Sequence, residues 1–341
     1  MKAAFVKRKD RVRIKDIPKP RPGKTEILIK IDACGICGSD FIEAKIWARK
    51  WKRFGHEMVA TVAEIGKEVT GFANGDQVVV ALSIPCGTCA LCRNGSPRTC
   101  NNLIAVEQGG FAEYLLIKDQ RLLYKVDPAL SMELASFAEP LTVVLDALHL
   151  ADLREGDHFF VVGGGFIGTL ALLTAKILGA NITGLLNREA RSNVITCLNE
   201  TGGDHFAWRT IAGRTISAPA RLRKKLSGLS GRVVVLHTAP ARHIALYLDL
   251  LPYGSTIVNI GLSAFPKENR LKIDASRLIF KRLQLMNAFP VPCLHLPQAV
   301  SLLREHSGLF SSLFVEKMPL SRLPEVITAA DKPKRKILIT M

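Results

Sequence analysis

The sequence predicts an α/β protein with two domains, a β-rich domain and a doubly wound parallel sheet. Short β-branched segments alternate with turn residues in the first part of the chain, whereas apolar runs alternate with helical stretches further on. The 341 residues, 48% of them hydrophobic, are enough to bury more than one core. The change of pattern predicts a domain boundary near residue 145.

The β-rich part contains four strand candidates, which glycines and the turn Asn74-Gly75-Asp76 separate. Further on, Ser131 is a residue that can cap a helix, and apolar residues recur at helical spacing from there to Leu150. We therefore expect strands to give way to helix at this point. The strand candidates are residues 3–6, 26–31, 58–65 and 77–81.

The second part of the chain alternates strands with helices. Residues 158–162 form a continuous apolar run, which is typical of a parallel strand buried on both faces. Glycines then lead into a helical stretch at residues 166–178. This alternation predicts a doubly wound sheet. Further strand candidates are residues 182–186, 233–236, 256–260 and 283–286, and a last strand is predicted at 336–340.

The charge is strongly positive, with 47 Lys and Arg against 30 Asp and Glu and a net charge of +17. The basic residues concentrate at residues 7–24, 45–53 and 332–336. Such a balance raises the alternative of a basic zinc protein that binds nucleic acid. Only four Tyr and three Trp accompany the basic residues, which leaves few surfaces for base stacking. We therefore expect no nucleic-acid partner.

No apolar run reaches the length of about 20 residues that a membrane-spanning helix needs. The N-terminus, Met1-Lys2-Ala3-Ala4-Phe5-Val6, has too short an apolar stretch for a signal peptide. We therefore expect a cytoplasmic protein with no membrane partner.

Four of the eight cysteines fall within a short stretch, and their spacing is the sharpest motif of the chain. Without an export signal, such a cluster indicates metal ligation rather than disulfides. Four thiolates can complete a closed tetrahedral shell, so we predict a structural zinc site. An iron–sulfur cluster and reduced surface cysteines are the alternatives. The predicted ligands are Cys86, Cys89, Cys92 and Cys100.

A second constellation combines the segment Cys34-Gly35-Ile36-Cys37-Gly38-Ser39-Asp40 with Gly55-His56-Glu57. One cysteine, one histidine and one or two carboxylates can form a zinc site that leaves a position for water or substrate. Taken alone, a cysteine and a distant histidine are more often core residues. The interpretation as a catalytic site therefore depends on the motifs that accompany these two segments.

A glycine-rich turn, Gly-Gly-Gly-Phe-Ile-Gly at residues 163–168, joins a predicted strand to a predicted helix. A lone glycine motif is weak evidence, but this one has the strand and the helix that pyrophosphate binding at a helix N-terminus requires. The turn predicts a dinucleotide site formed by Gly163, Gly165, Phe166, Ile167 and Gly168.

In this order, the three constellations resemble the zinc-dependent medium-chain alcohol and polyol dehydrogenases. The resemblance extends over essentially the whole chain, and Glu139-Pro140-Leu141 is typical of the polyol branch, which includes sorbitol and galactitol-phosphate dehydrogenases. It implies a GroES-like β-rich catalytic domain with an inserted Rossmann domain. The implied domains are 1–145, GroES-like with a structural zinc lobe at about 84–102; 146–288, Rossmann and NAD(P)-binding; and 289–341, a return to the catalytic domain.

The resemblance also implies roles for residues of the second constellation. Ser39 matches the hydroxyl that accepts the proton of the substrate alcohol, and Asp40 matches a carboxylate that orients His56. Zinc would lower the pKa of the bound alcohol, and hydride would pass to the nicotinamide. Which carboxylate ligates zinc directly stays open. The implied catalytic zinc ligands are Cys37, His56, Glu57 and Glu139.

Two departures from the family pattern concern the substrate. Ile42 stands where some alcohol-oxidising relatives carry a relay histidine, so the proton must leave by another route. The segment 45–53 is rich in Lys and Arg, which suits a phosphorylated polyol or a sugar acid, although a solvated basic face explains it equally well. We expect a secondary alcohol or polyol substrate and a homodimer or homotetramer. A catalytically inactive relative that acts as a scaffold or sensor is the alternative.

The third departure concerns the cofactor. An NAD enzyme usually places an acidic residue at the end of the second Rossmann strand. This chain has Asn187 and Arg188 there, and an arginine can contact a 2′-phosphate. We therefore expect NADP(H) rather than NAD(H). In the alternative, Arg188 is solvated and Glu189 binds the ribose of NAD.

Overall fold

The computed structural model describes residues 1–107, 109–187, 192–211, 214–289, 291–313, 315–329 and 335–341. These residues form two compact units. The first comprises Met1–Thr142, Pro290–Ser307 and Phe314–Met341, and the second comprises Val143–Phe289 and Gly308–Leu313. Among the described residues, no helix is both long enough and apolar enough to cross a bilayer.

The first 150 residues are rich in short strands. Their helices are α1 (Gly38–Ile42), α2 (Ala90–Arg93), α3 (Met132–Ala135) and α4 (Ala138–Leu150). Their strands are β1 (Lys2–Lys7), β2 (Arg11–Asp16), β3 (Ile27–Gly35), β4 (Lys52–Arg53), β5 (Glu57–Ile65), β6 (Gln77–Val80), β7 (Ser83–Ile84), β8 (Ile104–Ala105), β9 (Tyr114–Ile117) and β10 (Leu123–Lys125).

The remainder of the chain alternates strands with helices. Its helices are α5 (Phe166–Ile177), α6 (Ser192–Thr201), α7 (Ala220–Ser227), α8 (Ala275–Lys281), α9 (Leu296–Glu305), α10 (Ser307–Phe310) and α11 (Leu323–Thr328). Its strands are β11 (His158–Val162), β12 (Asn181–Asn187), β13 (Asp204–Ala207), β14 (Arg209–Ile211), β15 (Arg214–Ser217), β16 (Val233–His237), β17 (Thr256–Asn259), β18 (Gln284–Asn287), β19 (Val315–Pro319) and β20 (Lys336–Thr340).

The main sheet of the first unit has the order β10-β6-β5-β3-β20-β19, with β9 also paired to β3. Strand β3 lies inside this sheet, and its Ile and Leu side chains are buried. The register places Gly35 opposite both Glu57 of β5 and Leu338 of β20. Residues from the first 60 positions and from the end of the chain therefore meet at one end of this strand.

The second unit contains a parallel sheet with the order β13-β12-β11-β16-β17-β18. The chain moves outward from β11 to β13, returns to β16 beside β11, and moves outward again to β18. This reversal defines the switch point at which doubly wound sheets bind ligands. Phe159, Phe160, Val161 and Val162 of β11 are fully buried, as the continuous apolar run predicts. The predicted fold class is confirmed.

The predicted helix from Ser131 to Leu150 is divided into α3 and α4. The Ser131 hydroxyl accepts a hydrogen bond from the Leu134 amide at 3.3 Å, so the predicted cap is present. A continuous helix would bring the ring of Pro140 against a carbonyl four residues earlier, whereas proline fits the first turn of a new helix. The break therefore places Glu139 in the first turn of α4.

Candidate metal centres and nucleotide site

The four clustered cysteines form a small lobe of the first unit. Strands β7 and β8 pair antiparallel and close its base. Cys89 immediately precedes helix α2, and a helical turn at Pro97–Thr99 leads into Cys100. The structure brings all four predicted sulfur ligands within 4.8 Å of one another.

The geometry of the lobe fits a tetrahedral zinc ion. Zinc–sulfur bonds of about 2.3 Å in a tetrahedron separate the sulfurs by about 3.8 Å. The Sγ atoms of Cys86 and Cys92 lie 4.0 Å apart, those of Cys89 and Cys100 3.8 Å, and those of Cys100 and Cys86 3.6 Å. We infer that this lobe can hold zinc without rearrangement.

Backbone amides favour the thiolate form of one of these ligands. The amides of Thr88 and Cys89 donate to the Cys86 sulfur at 3.4 and 3.3 Å. Hydrogen bonds from the Cys89 and Thr88 backbones lower the pKa of Cys86 to about 6, whereas burial raises that of Cys92 to about 12. Four adjacent thiolates repel one another, so a cation is needed for all four to lose their protons.

The second constellation gathers Cys37, His56 and Glu57, whose ligand atoms lie within 4.8 Å of one another. Cys37 precedes helix α1, and Glu57 begins strand β5. Gly55, just before His56, has φ of +92°, a conformation that favours glycine, and the ring of Phe111 leaves no room for a Cβ there. The tight turn at Gly55 therefore fixes the backbone position of His56 and Glu57 at the start of β5.

Asp40 is buried beside these groups and contacts two of them. Its Oδ2 accepts a hydrogen bond from the Cys37 amide at 2.8 Å, and its Oδ1 lies 3.9 Å from Nδ1 of His56. Burial raises the pKa of Asp40 to about 6. Burial alone would lower the pKa of His56, but a hydrogen bond to Cys37 and the charges of Cys37 and Asp40 outweigh it and raise that pKa.

Glu57 has a partner that the sequence analysis missed. The ammonium group of Lys336, at the start of β20, pairs with Glu57 Oε2 and donates to the Ile36 carbonyl at 3.1 Å. The sequence assigned Lys336 to a basic tail, and the only available signal was its place directly before the apolar run Ile-Leu-Ile of a predicted strand. Glu57 therefore faces both the metal cluster and a buried lysine.

Glu139 and Ser39 are the two other residues of this region for which the sequence predicts a role. The Glu139 side chain is buried, and burial raises its pKa to about 7 although the charges of His56 and Lys336 oppose this. It interacts electrostatically with His56 but is outside the tight group of Cys37, His56 and Glu57. Ser39, in the first turn of α1, is half-buried.

The glycine-rich turn joins β11 to α5 as predicted. Gly163 has φ of +118°, and the side chain of Thr238 occupies the place of a Cβ there. Gly165 precedes α5, and Phe166, Ile167 and Gly168 form its first turn. No side chain caps this helix, and a Cβ at Gly165 would meet open space. The first amides of α5 are thus accessible to an anionic group, and the turn fits a pyrophosphate.

Asn187 is the last residue of β12, beside this turn. Its Oδ1 lies 2.8 Å from Nε2 of His205 on the neighbouring strand β13, a contact that the sequence analysis did not foresee. Arg188 and Glu189, the other residues considered for cofactor choice, lie outside the described residues.

Comparison with known proteins decides the family. Residues 23–128 match the alcohol dehydrogenase GroES-like domain. The chain is 30% identical over 309 residues to an L-threonine 3-dehydrogenase of Paraburkholderia xenovorans. The alignment covers 85% of this chain and 84% of that protein. The chain belongs to the zinc-dependent medium-chain dehydrogenase family.

Other members of the family differ from that relative in their named reactions. An acryloyl-coenzyme A reductase of Metallosphaera sedula is 31% identical over 270 residues, 76% of each chain. The crystal structure of galactitol-1-phosphate dehydrogenase from Escherichia coli superposes with a TM-score of 0.83 at 22% identity, covering 100% of both chains. The family, the fold and the class of oxidoreductase are therefore confirmed, and these differing names leave the substrate to be proposed.

Proposed function

We propose that the protein transfers a hydride between a secondary alcohol of a polyol, sugar acid or sugar phosphate and NAD(P), with zinc in the second constellation. The observation that carries this proposal is the convergence of Cys37 with His56 and Glu57, which come from two separate segments, on one largely buried point. A thiolate, an imidazole and a carboxylate are the donors of open, catalytic zinc sites. When bound, zinc supplies Lewis-acid activation of the alcohol.

Cys37 and His56 are the proposed direct ligands. Because Lys336 already pairs with Glu57, we assign to Glu139 the carboxylate that ligates directly or through water. Glu57 then balances the Lys336 charge and contributes negative potential to the site. Asp40, 3.9 Å from Nδ1 of His56, is proposed to orient the imidazole, so that its other nitrogen is available to the metal.

Ser39 is the proposed acceptor of the substrate proton. Ile42, at the position of the relay histidine of some relatives, is buried and has no titratable group. Ser39 is half-buried, so its hydroxyl can pass a proton on to water. This route needs no relay histidine.

The proposed cofactor is NADP(H), with NAD(H) as the alternative. The pyrophosphate would bind the first amides of α5, where Gly165 leaves the backbone accessible and Gly163 and Gly168 allow the turn to pack closely. Asn187, rather than an acidic residue, would face the adenosine ribose.

An anionic substrate is the finer proposal, and the basic segment 45–53 supports it only in part. Lys52 pairs with Glu43 at 3.0 Å, and Arg53 pairs with Glu107 at 3.1 Å, so these two charges are balanced. Among the described residues, Arg49 and Lys50 are exposed and have no carboxylate partner. Lys45 is half-buried and has no such ion pair either, so in the described part of the chain a preference for phosphate or carboxylate would depend on Lys45, Arg49 and Lys50.

We further propose that the cysteine lobe holds a structural zinc ion and that the protein is a cytoplasmic homodimer or homotetramer. None of the eight cysteines forms a disulfide, which suits the reducing cytoplasm.

The proposed oligomer would use one edge of the parallel sheet. Strand β18 ends this sheet, and on α8, just before β18, Ile279 and Phe280 are 70% and 75% exposed. An open sheet edge beside apolar side chains supports a homodimer or homotetramer. Replacing Phe280 with Asp should then reduce the mass that light scattering measures.

A substrate screen tests the proposed activity. Polyols, sugar acids and their phosphates are supplied with NAD or NADP, and reduction is followed by nicotinamide absorbance. We expect turnover with at least one polyol-like compound and none after His56→Ala. Nicotinamide binding without turnover of any compound would instead favour the inactive scaffold or sensor.

A further inference from the structure

The His205 side chain is hydrogen-bonded to the residue that ends the second strand of the parallel sheet. Its Nε2 lies 2.8 Å from Oδ1 of Asn187. The two residues are on adjacent strands, since β12 and β13 pair with Leu185 opposite His205. The Trp208 amide also donates to the Asn187 carbonyl at 2.9 Å, which fixes the backbone at this point.

The contact determines which end of the Asn187 amide faces the glycine-rich turn. Nδ2 of Asn187 lies next to Gly164, in the space that a Cβ would occupy. An amide has one acceptor end and one donor end, and the acceptor Oδ1 is directed to His205. The NH₂ group of Asn187 is therefore the end that lies beside the turn.

The direction of the hydrogen bond follows from the chemistry of the pair. Because Oδ1 faces Nε2 and an amide oxygen cannot donate, this contact is a hydrogen bond when Nε2 of His205 carries the proton. Burial, together with the charge of Arg221, lowers the pKa of His205, which favours the neutral ring. In that ring one nitrogen has the proton, and the contact with Asn187 selects Nε2.

This orientation bears on nucleotide selection. The acidic residue of an NAD enzyme accepts a hydrogen bond from the ribose 2′-hydroxyl, whereas a 2′-phosphate offers only acceptor oxygens near neutral pH. A donor end beside the turn matches the phosphate. If the amide were reversed, Oδ1 would match the hydroxyl instead.

We propose that His205 is a positioning residue for cofactor choice, which holds the Asn187 amide with its NH₂ group toward the glycine-rich turn and so favours a nucleotide with a 2′-phosphate. The proposal rests on the dinucleotide site of the proposed function. It predicts that selection depends on a histidine that does not itself touch the nucleotide.

The first test uses the free protein. A long-range ¹H–¹⁵N NMR spectrum near pH 7.5 reports which ring nitrogen of each histidine is protonated, and His205→Gln identifies the signal. We expect the proton of His205 on Nε2. A proton on Nδ1 alone would make Nε2 an acceptor, reverse the Asn187 amide and overturn the proposal.

The second test compares two probes that differ only in the 2′-phosphate, adenosine 2′,5′-bisphosphate and 5′-AMP, by titration calorimetry. His205→Leu should lower the ratio of their affinities by about 5- to 10-fold, the effect of one hydrogen bond. His205→Gln, which can donate from a similar position, should keep the ratio within about 2-fold of wild type. His158→Leu, at the opposite end of β11, is the matched control and should leave the ratio unchanged.

The outcomes separate this proposal from the function on which it rests. If wild type binds 5′-AMP as tightly as the bisphosphate, or if His205→Leu leaves the ratio unchanged, the positioning role is wrong and the dinucleotide site stands. If wild type binds neither probe, the dinucleotide site itself is wrong. Circular dichroism of each variant checks that a changed ratio does not come from unfolding.

Discussion

Lys336 and Glu57 form an ion pair in the interior of the first unit, although 279 residues separate them in the sequence. Their side chains are only 3% and 2% exposed. The pair links strand β20, at the end of the chain, to strand β5, which begins beside the proposed zinc ligand His56. A buried ion pair costs desolvation energy, and removing one partner leaves the other charge uncompensated.

Lys336→Met should therefore lower the free energy of unfolding by about 3–5 kcal/mol, because the buried Glu57 carboxylate loses the cation with which it is paired. Denaturant unfolding followed by circular dichroism measures this loss. Lys317→Met is the matched control: Lys317 pairs with Glu133, but both side chains are partly exposed. That control should cost no more than about 1 kcal/mol.

The double variant Lys336→Met with Glu57→Gln should recover part of the loss, since no charge is then left unpaired. Equal losses for Lys336→Met and Lys317→Met would show that the buried pair has no special weight in the fold.

Cys92→Ser should reduce the bound zinc from two ions per chain to one and destabilise the first unit, because the cysteine lobe loses one of four ligands. Metal analysis by mass spectrometry and thermal unfolding measure the two effects. Cys197→Ser is the control, since Cys197 is a buried thiol of the second unit, outside the cluster. It should retain both ions, and a full zinc content in Cys92→Ser would contradict the structural site.

The stability of the second unit should depend on pH through His237. Burial lowers the pKa of this histidine to about 4, below the value of 6.5 of the unfolded chain. As the pH falls, the unfolded state gains a proton before the folded state does. The contribution of His237 to the free energy of unfolding is therefore fully present above pH 6.5 and is lost as the pH is lowered toward 4. At pH 5 the expected loss is on the order of 2 kcal/mol.

Replacing His237 with Gln removes the titrating group and should flatten this part of the pH profile. Denaturant titrations of both proteins at pH 7 and pH 5 make the comparison. The same pH dependence in both would assign the effect to other groups.

Asn187→Asp should shift cofactor preference toward NAD by about 1–3 kcal/mol, because a carboxylate accepts from the ribose 2′-hydroxyl and repels a 2′-phosphate. The ratio of kcat/KM for NADP and NAD measures the shift. A wild-type enzyme that already favours NAD by tenfold would show that the end of β12 does not select NADP.

The predictable parts of the fold are those with strong local patterns. Strand β11 and its neighbours are apolar because both faces are buried, and the predicted last strand agrees with β20 residue for residue. Strand β2 was not predicted, although its alternation of charged and apolar residues is a strand pattern, because this segment was interpreted only as part of the basic stretch 7–24. Its apolar residues are few and only half-buried, so the hydrophobic signal is weaker than in β11.

The candidate site divides in the same way. Cys37, His56 and the four clustered cysteines belong to short motifs whose spacing can be recognised along the chain. Lys336 and His205 have no such motif, since their partners Glu57 and Asn187 become neighbours only through strand pairing. Register between distant strands is a property of the folded sheet, so these contacts required the structure.

The most direct test of the proposed catalytic zinc is the metal content and turnover of His56→Ala, measured on one preparation beside wild type. We expect two zinc ions per chain in wild type and one in the variant, with an unchanged circular dichroism spectrum. Turnover should fall by about 1,000-fold or more, since Lewis-acid activation is worth several kcal/mol. A single zinc ion in wild type, or full turnover in His56→Ala, would contradict a catalytic zinc held by Cys37 and His56.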